Sequence, residues 1–131
     1  MHVVGGGIPN GKKLKAVQTG GPSGGCIPAQ FLDMPMTYEN LIEVGSFMGS
    51  GGLIVMDETT CMVWAAQNLM YFYRHESCGK CTPCREGGDW LWKLLGKIER
   101  GDGEMTDLDL LLSVAGNIAG KTLCAFGDAA A

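Results

Sequence analysis

Three cysteines lie within seven residues of this sequence, in the order Cys78, Cys81 and Cys84. Thiolates are common protein ligands of zinc and of iron–sulfur clusters. A C-x2-C-x2-C loop can curl so that three sulfurs face one side of a cubic cluster, and Gly79 gives the backbone the freedom to do so. The spacing therefore indicates a metal or cluster site at this loop.

A [4Fe–4S] cluster normally takes four thiolates, and Cys124 is the candidate for the fourth. It follows Cys84 by 40 positions, and two apolar stripes at helical spacing fill most of the interval. Two antiparallel helices in that interval would return the chain to the loop. We therefore predict that Cys124 completes the ligand set.

Zinc binding and thiol redox chemistry are the alternatives for the same loop. Structural zinc sites usually use two separate pairs of ligands, which a third cysteine at the same short spacing fits poorly. A dithiol redox motif needs one C-x-x-C, and here two overlap. Cys26 and Cys61 have no partner at ligand spacing, so we interpret them as small buried apolar residues.

No arrangement of catalytic side chains is visible in the sequence. The chain has two histidines and no Ser/His/Asp pattern, and its glycine runs lack the features of a dinucleotide or phosphate loop. Lys80, Arg85 and Arg74 flank the cysteine loop, either as solvated charges or as cations that offset the negative charge of a cluster. A cluster without a substrate pocket is an electron carrier.

Two segments that differ in composition and in apolar periodicity must position the cysteines. Residues 1–58 are rich in glycine, and their patterns predict a strand at Lys13–Gln18, a turn at Gly20–Gly25, a short helix at Tyr38–Val44 and a buried strand at Leu53–Met56. Residues 59–131 show helical spacing instead. We therefore expect an α+β chain, with a small β lobe at 1–58 and a helical iron–sulfur domain at 59–131.

Three apolar stripes define the helices of the second segment. The first runs from Met62 to Tyr73 with Thr59 or Thr60 as its cap, the second from Leu91 to Ile98, and the third from Leu108 to Ile118. Thr106 and Asp109 resemble a capping box before the third stripe. We expect these stripes to form the core of the helical domain.

Composition and charge exclude several classes of function. The 131 residues are 46% hydrophobic and 18% charged, with a net charge of −4. Regular apolar periods argue against disorder, and the acidic balance argues against nucleic-acid binding. No apolar run approaches the roughly 18 residues of a membrane span, and the first residues lack a signal-peptide pattern. We therefore expect a cytoplasmic protein without direct membrane insertion.

The segments around the cysteines resemble a known family. Glu76–Gly87 and Leu123–Ala130, together with the upstream Lys15–Gly25 and Gly49–Asp57, are similar to the flavoprotein (NADH-binding) subunit of respiratory complex I, the NADH-quinone oxidoreductase of bacteria. The same subunit recurs as the diaphorase of NAD(P)-linked hydrogenases and formate dehydrogenases. Gly21–Pro28 is similar to the hydrogenase branch, whereas Tyr71–His75 and the segment around Cys124 favour complex I.

The resemblance implies a fold, a cofactor and a role. The first lobe would be β-grasp-like, and the helical bundle would hold a [4Fe–4S] cluster on Cys78, Cys81, Cys84 and Cys124. The cluster would accept single electrons from FMN reduced by NADH and pass them to further clusters in partner subunits of the peripheral arm, including a [2Fe–2S] subunit. The complex would lie on the cytoplasmic side of the membrane.

The resemblance also sets limits. The flavin domain of the family has no counterpart in these residues, so the chain is similar to a fragment, and we expect it to hold the cluster without oxidising NADH. No FMN- or NADH-binding residue is carried over, and no catalytic residue is assigned. A diaphorase subunit, a zinc-stabilised interaction domain and a non-functional remnant are the alternatives.

Overall fold

A computed structural model describes residues 5–131 of the chain. The chain divides into two compact units, Met1–Thr60 and Cys61–Ala131. Within the described residues, the first unit holds three antiparallel strands, one short α-helix and two short 3-10 helices, and the second holds four α-helices. The α+β class is therefore confirmed, whereas the β-grasp assignment of the first unit stays a prediction.

The first unit is built on a three-stranded antiparallel sheet. Its strands are β1 (Leu14–Thr19), β2 (Cys26–Pro28) and β3 (Leu53–Asp57), in the spatial order β2–β1–β3. On the central strand, Val17 lies opposite Ile27 of β2 and Val55 of β3. The short helix α1 (Tyr38–Glu43) adds Leu41 to the buried apolar core of this unit.

Strand β3 is more exposed than the apolar run predicts. Leu53, Ile54 and Val55 are each about half exposed, and only Met56 is buried. The order β2–β1–β3 places this strand at the edge of the sheet among the described residues, so no further strand covers it there. The prediction of a buried strand is therefore wrong, although the strand itself is confirmed.

The second unit is helical. Its helices are α2 (Met62–Glu76), α3 (Thr82–Glu99), α4 (Met105–Ile118) and α5 (Ala125–Ala130). Its core is a cluster of buried apolar side chains, namely Met70, Tyr73, Leu91, Val114 and Ile118. These side chains come from α2, α3 and α4, so packing of the three long helices forms the core.

The turn before α2 differs from the prediction. Cys61, not Thr59 or Thr60, is the residue that precedes the first turn. The Thr59 hydroxyl and its backbone N–H instead donate to Asp57 Oδ1, at 2.6 and 2.9 Å. The Lys12 ammonium, 2.8 Å from the same carboxylate, is the main cause that holds the pKa of Asp57 far below its usual range, and the Thr59 bonds add to the effect.

The start of α4 also differs from the prediction. The capping box is made by Glu104 and Asp107, not by Thr106 and Asp109. Asp107 accepts a hydrogen bond of 2.7 Å from the Glu104 N–H and pairs with Lys97 at 2.9 Å. These two interactions lower the pKa of Asp107, the backbone bond being the larger cause, so a charged carboxylate stabilises this helix start.

Only part of the third apolar stripe faces the core. Val114 and Ile118 are buried and Leu111 packs against them. Leu108 is 45% exposed and Leu112 is 74% exposed. The stripe therefore identifies the helix correctly and assigns too many of its residues to the core. No helix among residues 5–131 is long and apolar enough to cross a bilayer.

Candidate metal centre

The short segment between α2 and α3 positions the three clustered cysteines. Helix α2 ends at Glu76, and Cys78 lies in the connection that follows. Gly79 turns this connection with a φ of 77°, a conformation that residues with a side chain rarely adopt. Cys81 is then the N-cap residue of α3, and Cys84 lies in its first turn. A tight bend thus places all three at the start of one helix.

Cys124 is brought to the same region by the following helices. The rest of α3 and the whole of α4 occupy the interval after Cys84, as the sequence predicts, and the two helices pack against each other. Cys124 is the N-cap residue of α5, which packs against α2, α3 and α4. The sequence did not predict α5.

All four predicted ligands line one cleft of about 240 Å³. Cys78 and Cys124 are exposed, whereas Cys81 and Cys84 are half-buried. Thr122, Phe126 and Gly127 form much of the remaining wall. A Cβ at the buried Gly127 would collide with the Thr122 side chain. A glycine is therefore required for the close packing of residues 122–124, the arm that carries Cys124, against α5.

Among the described residues, two hydrogen bonds reach the sulfurs of the cleft cysteines. The backbone N–H of Leu123 donates to Cys81 Sγ at 3.4 Å, which joins the arm of Cys124 to the loop. Ser77 Oγ lies 3.4 Å from Cys84 Sγ, and the same hydroxyl accepts from the Gly79 N–H at 3.3 Å. Such donors hold sulfur ligands in place and tune their charge.

The donor set of this cleft fits an iron–sulfur cluster. Four thiols and backbone and hydroxyl donors are what such clusters use. Among the described residues, no group of three or more Cys, His, Asp or Glu side chains is arranged to hold a single metal ion. A tetrahedral zinc site requires all four ligands around one point, whereas a cubic cluster takes each thiolate on a different iron.

The two other cysteines lie outside the cleft. Cys26 begins the outer strand β2, and Cys61 precedes α2. Both are exposed, so their interpretation as small buried residues is wrong. A strand at the sheet edge and a helix start each leave a small side chain open to solvent.

Arg85 and Arg74, two of the cations near the loop, have structural partners. Arg85 Nη1 donates to the Gly79 carbonyl oxygen, and its Nε lies 2.9 Å from Glu86. Lys80 is exposed. Arg74 pairs with Asp89 at 2.6 Å and lies 4.4 Å above the Trp92 ring. Arg85 therefore braces the loop, and Arg74 joins α2 to α3.

Three contributors to the site were missed from the sequence. The Ser77 hydroxyl contacts Cys84 Sγ, the Thr122 hydroxyl donates to the Cys124 carbonyl oxygen, and the Leu123 N–H donates to Cys81 Sγ. The position of Ser77 directly before Cys78 was a usable signal, because a short loop brings its own hydroxyl near its sulfurs. A backbone N–H carries no signal in the sequence.

A helical unit with four cysteines on one cleft has the donor set of an iron–sulfur protein. The family described as the NADH-ubiquinone oxidoreductase-F iron-sulfur binding region matches residues 64–131, just over half of the chain. The chain belongs to this family, and its cofactor is a [4Fe–4S] cluster.

Relatives come from both branches of the resemblance. The F 2 subunit of NADH-quinone oxidoreductase from Rhizobium meliloti is 50% identical over 97% of this chain and 30% of its own length. The HndC subunit of the NADP-reducing hydrogenase from Solidesulfovibrio fructosivorans is 49% identical over 95% of this chain and 26% of its own length. The chain thus spans under a third of the length of these curated relatives.

A solved structure supports the same assignment. The crystal structure of an NAD+-reducing [NiFe]-hydrogenase in the H2-reduced state matches with a TM-score of 0.74 and 31% identity, over 91% of this chain and 20% of the hydrogenase chain. The resemblance to the complex I flavoprotein and to its hydrogenase counterpart, first inferred from the cysteine segments, is confirmed.

Proposed function

We propose that the chain is the electron-transfer module of an NADH:quinone oxidoreductase flavoprotein subunit, with Cys78, Cys81, Cys84 and Cys124 as the four ligands. The observation that carries the proposal is the single cleft that these four cysteines line, in a unit that belongs to the iron–sulfur binding family. These four thiolates would hold the cluster, which would supply one-electron transfer between FMN reduced by NADH and further clusters.

The residues of this chain hold and shape the site for that role. The loop and the start of α3 supply three thiols, and the arm before α5 supplies the fourth. The Leu123 N–H fixes the arm against Cys81, and Arg85 braces the turn at Gly79. Exposure of Cys78 and Cys124 leaves one side of the site open to a redox partner.

The partners in this proposal are the other peripheral-arm subunits of an NADH dehydrogenase complex, including a [2Fe–2S] subunit. The first unit acts as a β-grasp-like domain beside a flavin domain, and the complex works on the cytoplasmic side of the membrane. The 131 residues contain no dinucleotide-binding loop, so the isolated chain holds the cluster and does not oxidise NADH.

A diaphorase subunit of a hydrogenase is the second candidate. It is favoured by the 49% identity to the HndC subunit and by the match to the NAD+-reducing hydrogenase. Both candidates use the same cluster site, so the adjacent genes discriminate between them. Quinone-oxidoreductase genes support the first candidate, and hydrogenase genes support the second.

Anaerobic reconstitution of the full chain tests the cluster itself. We expect about four irons and four sulfides per chain, a visible brown chromophore and a paramagnetic signal on reduction. One zinc per chain without a chromophore would contradict the proposal and support a zinc-stabilised interaction domain. Aggregated protein that takes up no metal would support a non-functional remnant.

A further inference from the structure

The hydroxyl of Ser77, directly before Cys78, reaches a cysteine sulfur of the cleft. Ser77 is the C-cap residue of α2, and its Oγ lies 3.4 Å from Cys84 Sγ. Both residues are half-buried, so water competes with this contact less than it would at the exposed Cys78 and Cys124.

The direction of this hydrogen bond depends on whether Cys84 carries a proton, since either atom can donate when Cys84 is a thiol. Ser77 Oγ accepts from the Gly79 N–H at 3.3 Å. One lone pair of the hydroxyl is therefore occupied, and its proton is free to point at Cys84. A ligating thiolate has no proton of its own and only accepts, so Ser77 must be the donor when Cys84 binds iron.

We propose that Ser77 is a tuning residue that donates a hydrogen bond to the Cys84 thiolate and raises the reduction potential of the cluster. This inference rests on the proposed function. Donation to sulfur withdraws negative charge, which favours the more negative, reduced state. Its loss must therefore make the cluster harder to reduce by one electron.

The test is a redox titration of the reconstituted full chain, followed by EPR. In Ser77→Ala we expect the ratio of reduced to oxidised cluster at a fixed potential to fall by about threefold to tenfold, where tenfold corresponds to about 59 mV for one electron. Ser77→Thr keeps a hydroxyl and should stay near the wild-type potential. Ser113→Ala removes an exposed serine hydroxyl from α4 and should change nothing.

The outcomes separate this inference from the proposed function. A wild-type chain that takes up no [4Fe–4S] cluster contradicts the proposed function. A loaded Ser77→Ala variant with the wild-type potential overturns the role of Ser77 and leaves the proposed function intact. EPR detects only the loaded fraction, so partial loading does not obscure the result.

A second variant covers the case in which Ser77→Ala retains no cluster. Ser77→Gly removes the hydroxyl and leaves the backbone free to turn, and we expect it to load and to show the same lowered potential. Loss of the cluster in both variants, with helical content retained, would overturn the inference, because Ser77 would then hold the site rather than tune it.

Discussion

The contact between α3 and α4 at Gly87 provides a quantitative test of the packing that positions the site. Gly87 is buried, and a Cβ there would lie 2.7 Å from both Cγ1 and Cδ1 of Ile118. Ile118 is only 1% exposed, so it has no solvent-side space into which it could move. Replacing Gly87 with alanine should therefore overpack the core, at a cost of about 1–3 kcal/mol.

Gly116 provides the matched control. It is an exposed helical glycine of α4, and no atom lies within 4 Å of the position of an added Cβ. Gly116→Ala should stabilise the chain by about 0.4–1 kcal/mol, because alanine restricts the unfolded chain. Gly87→Ala has a similar gain, so the difference between the two variants isolates the overpacking cost.

The measurement is the free energy of unfolding in urea, followed by circular dichroism on chains of equal cluster content. We expect Gly87→Ala to be about 1–3 kcal/mol less stable than Gly116→Ala. Adding Ile118→Val to Gly87→Ala removes Cδ1 and should recover part of that loss. Equal free energies of unfolding for the two glycine variants would refute the packing described for α3 and α4.

Three further results are expected. The pKa of Asp107 is lowered in the folded chain, so its contribution to stability is present above the unfolded pKa of about 4 and is lost as the pH falls. Asp107→Asn should therefore flatten the acid side of a plot of the free energy of unfolding against pH, whereas Asp109→Asn should not. Gly127→Ala should speed loss of the cluster chromophore to a chelator, because its Cβ would strike Thr122; adding Thr122→Ser should slow that loss, and an unchanged rate would contradict the close packing. In an NMR titration, Lys12→Met should move the low pKa of Asp57 toward its usual range, and Lys13→Met should leave it in place.

Much of the fold follows from periodicity. The strands at Leu14 and Leu53, the short helix at Tyr38 and the three long helices all occur where the patterns predict them. The errors lie in details that depend on tertiary neighbours. Spacing does not show that β3 is an edge strand, and it does not show which side of α4 meets α3.

Local competition between polar groups explains the wrong caps. Thr59 is a good N-cap by type, but the Asp57 carboxylate two residues earlier accepts its hydroxyl and its N–H. Similarly, Asp107 bonds the Glu104 N–H and also pairs with Lys97 of the preceding helix. Asp57 lies in the local sequence of Thr59, whereas the Lys97 partner of Asp107 lies on another helix and is not visible in the local sequence.

The candidate site was largely predictable because its chemistry is concentrated in residue type and spacing. Three cysteines in one loop and one after a helical pair are enough to identify the cleft. The contact between Ser77 and Cys84 depends on the turn at Gly79 and on the first turn of α3, so residue type and spacing alone do not predict it. The exposure of Cys26 and Cys61 likewise depends on their place in the fold.

The most direct test of the central claim is the iron and sulfide content of Cys124→Ala beside that of Cys61→Ala, both reconstituted under the same anaerobic conditions. Both side chains are exposed, and only Cys124 lines the cleft. The account predicts that Cys61→Ala keeps about four irons with an unchanged EPR signal, whereas Cys124→Ala loses the four-iron cluster. A full and spectroscopically unchanged cluster in Cys124→Ala would contradict it.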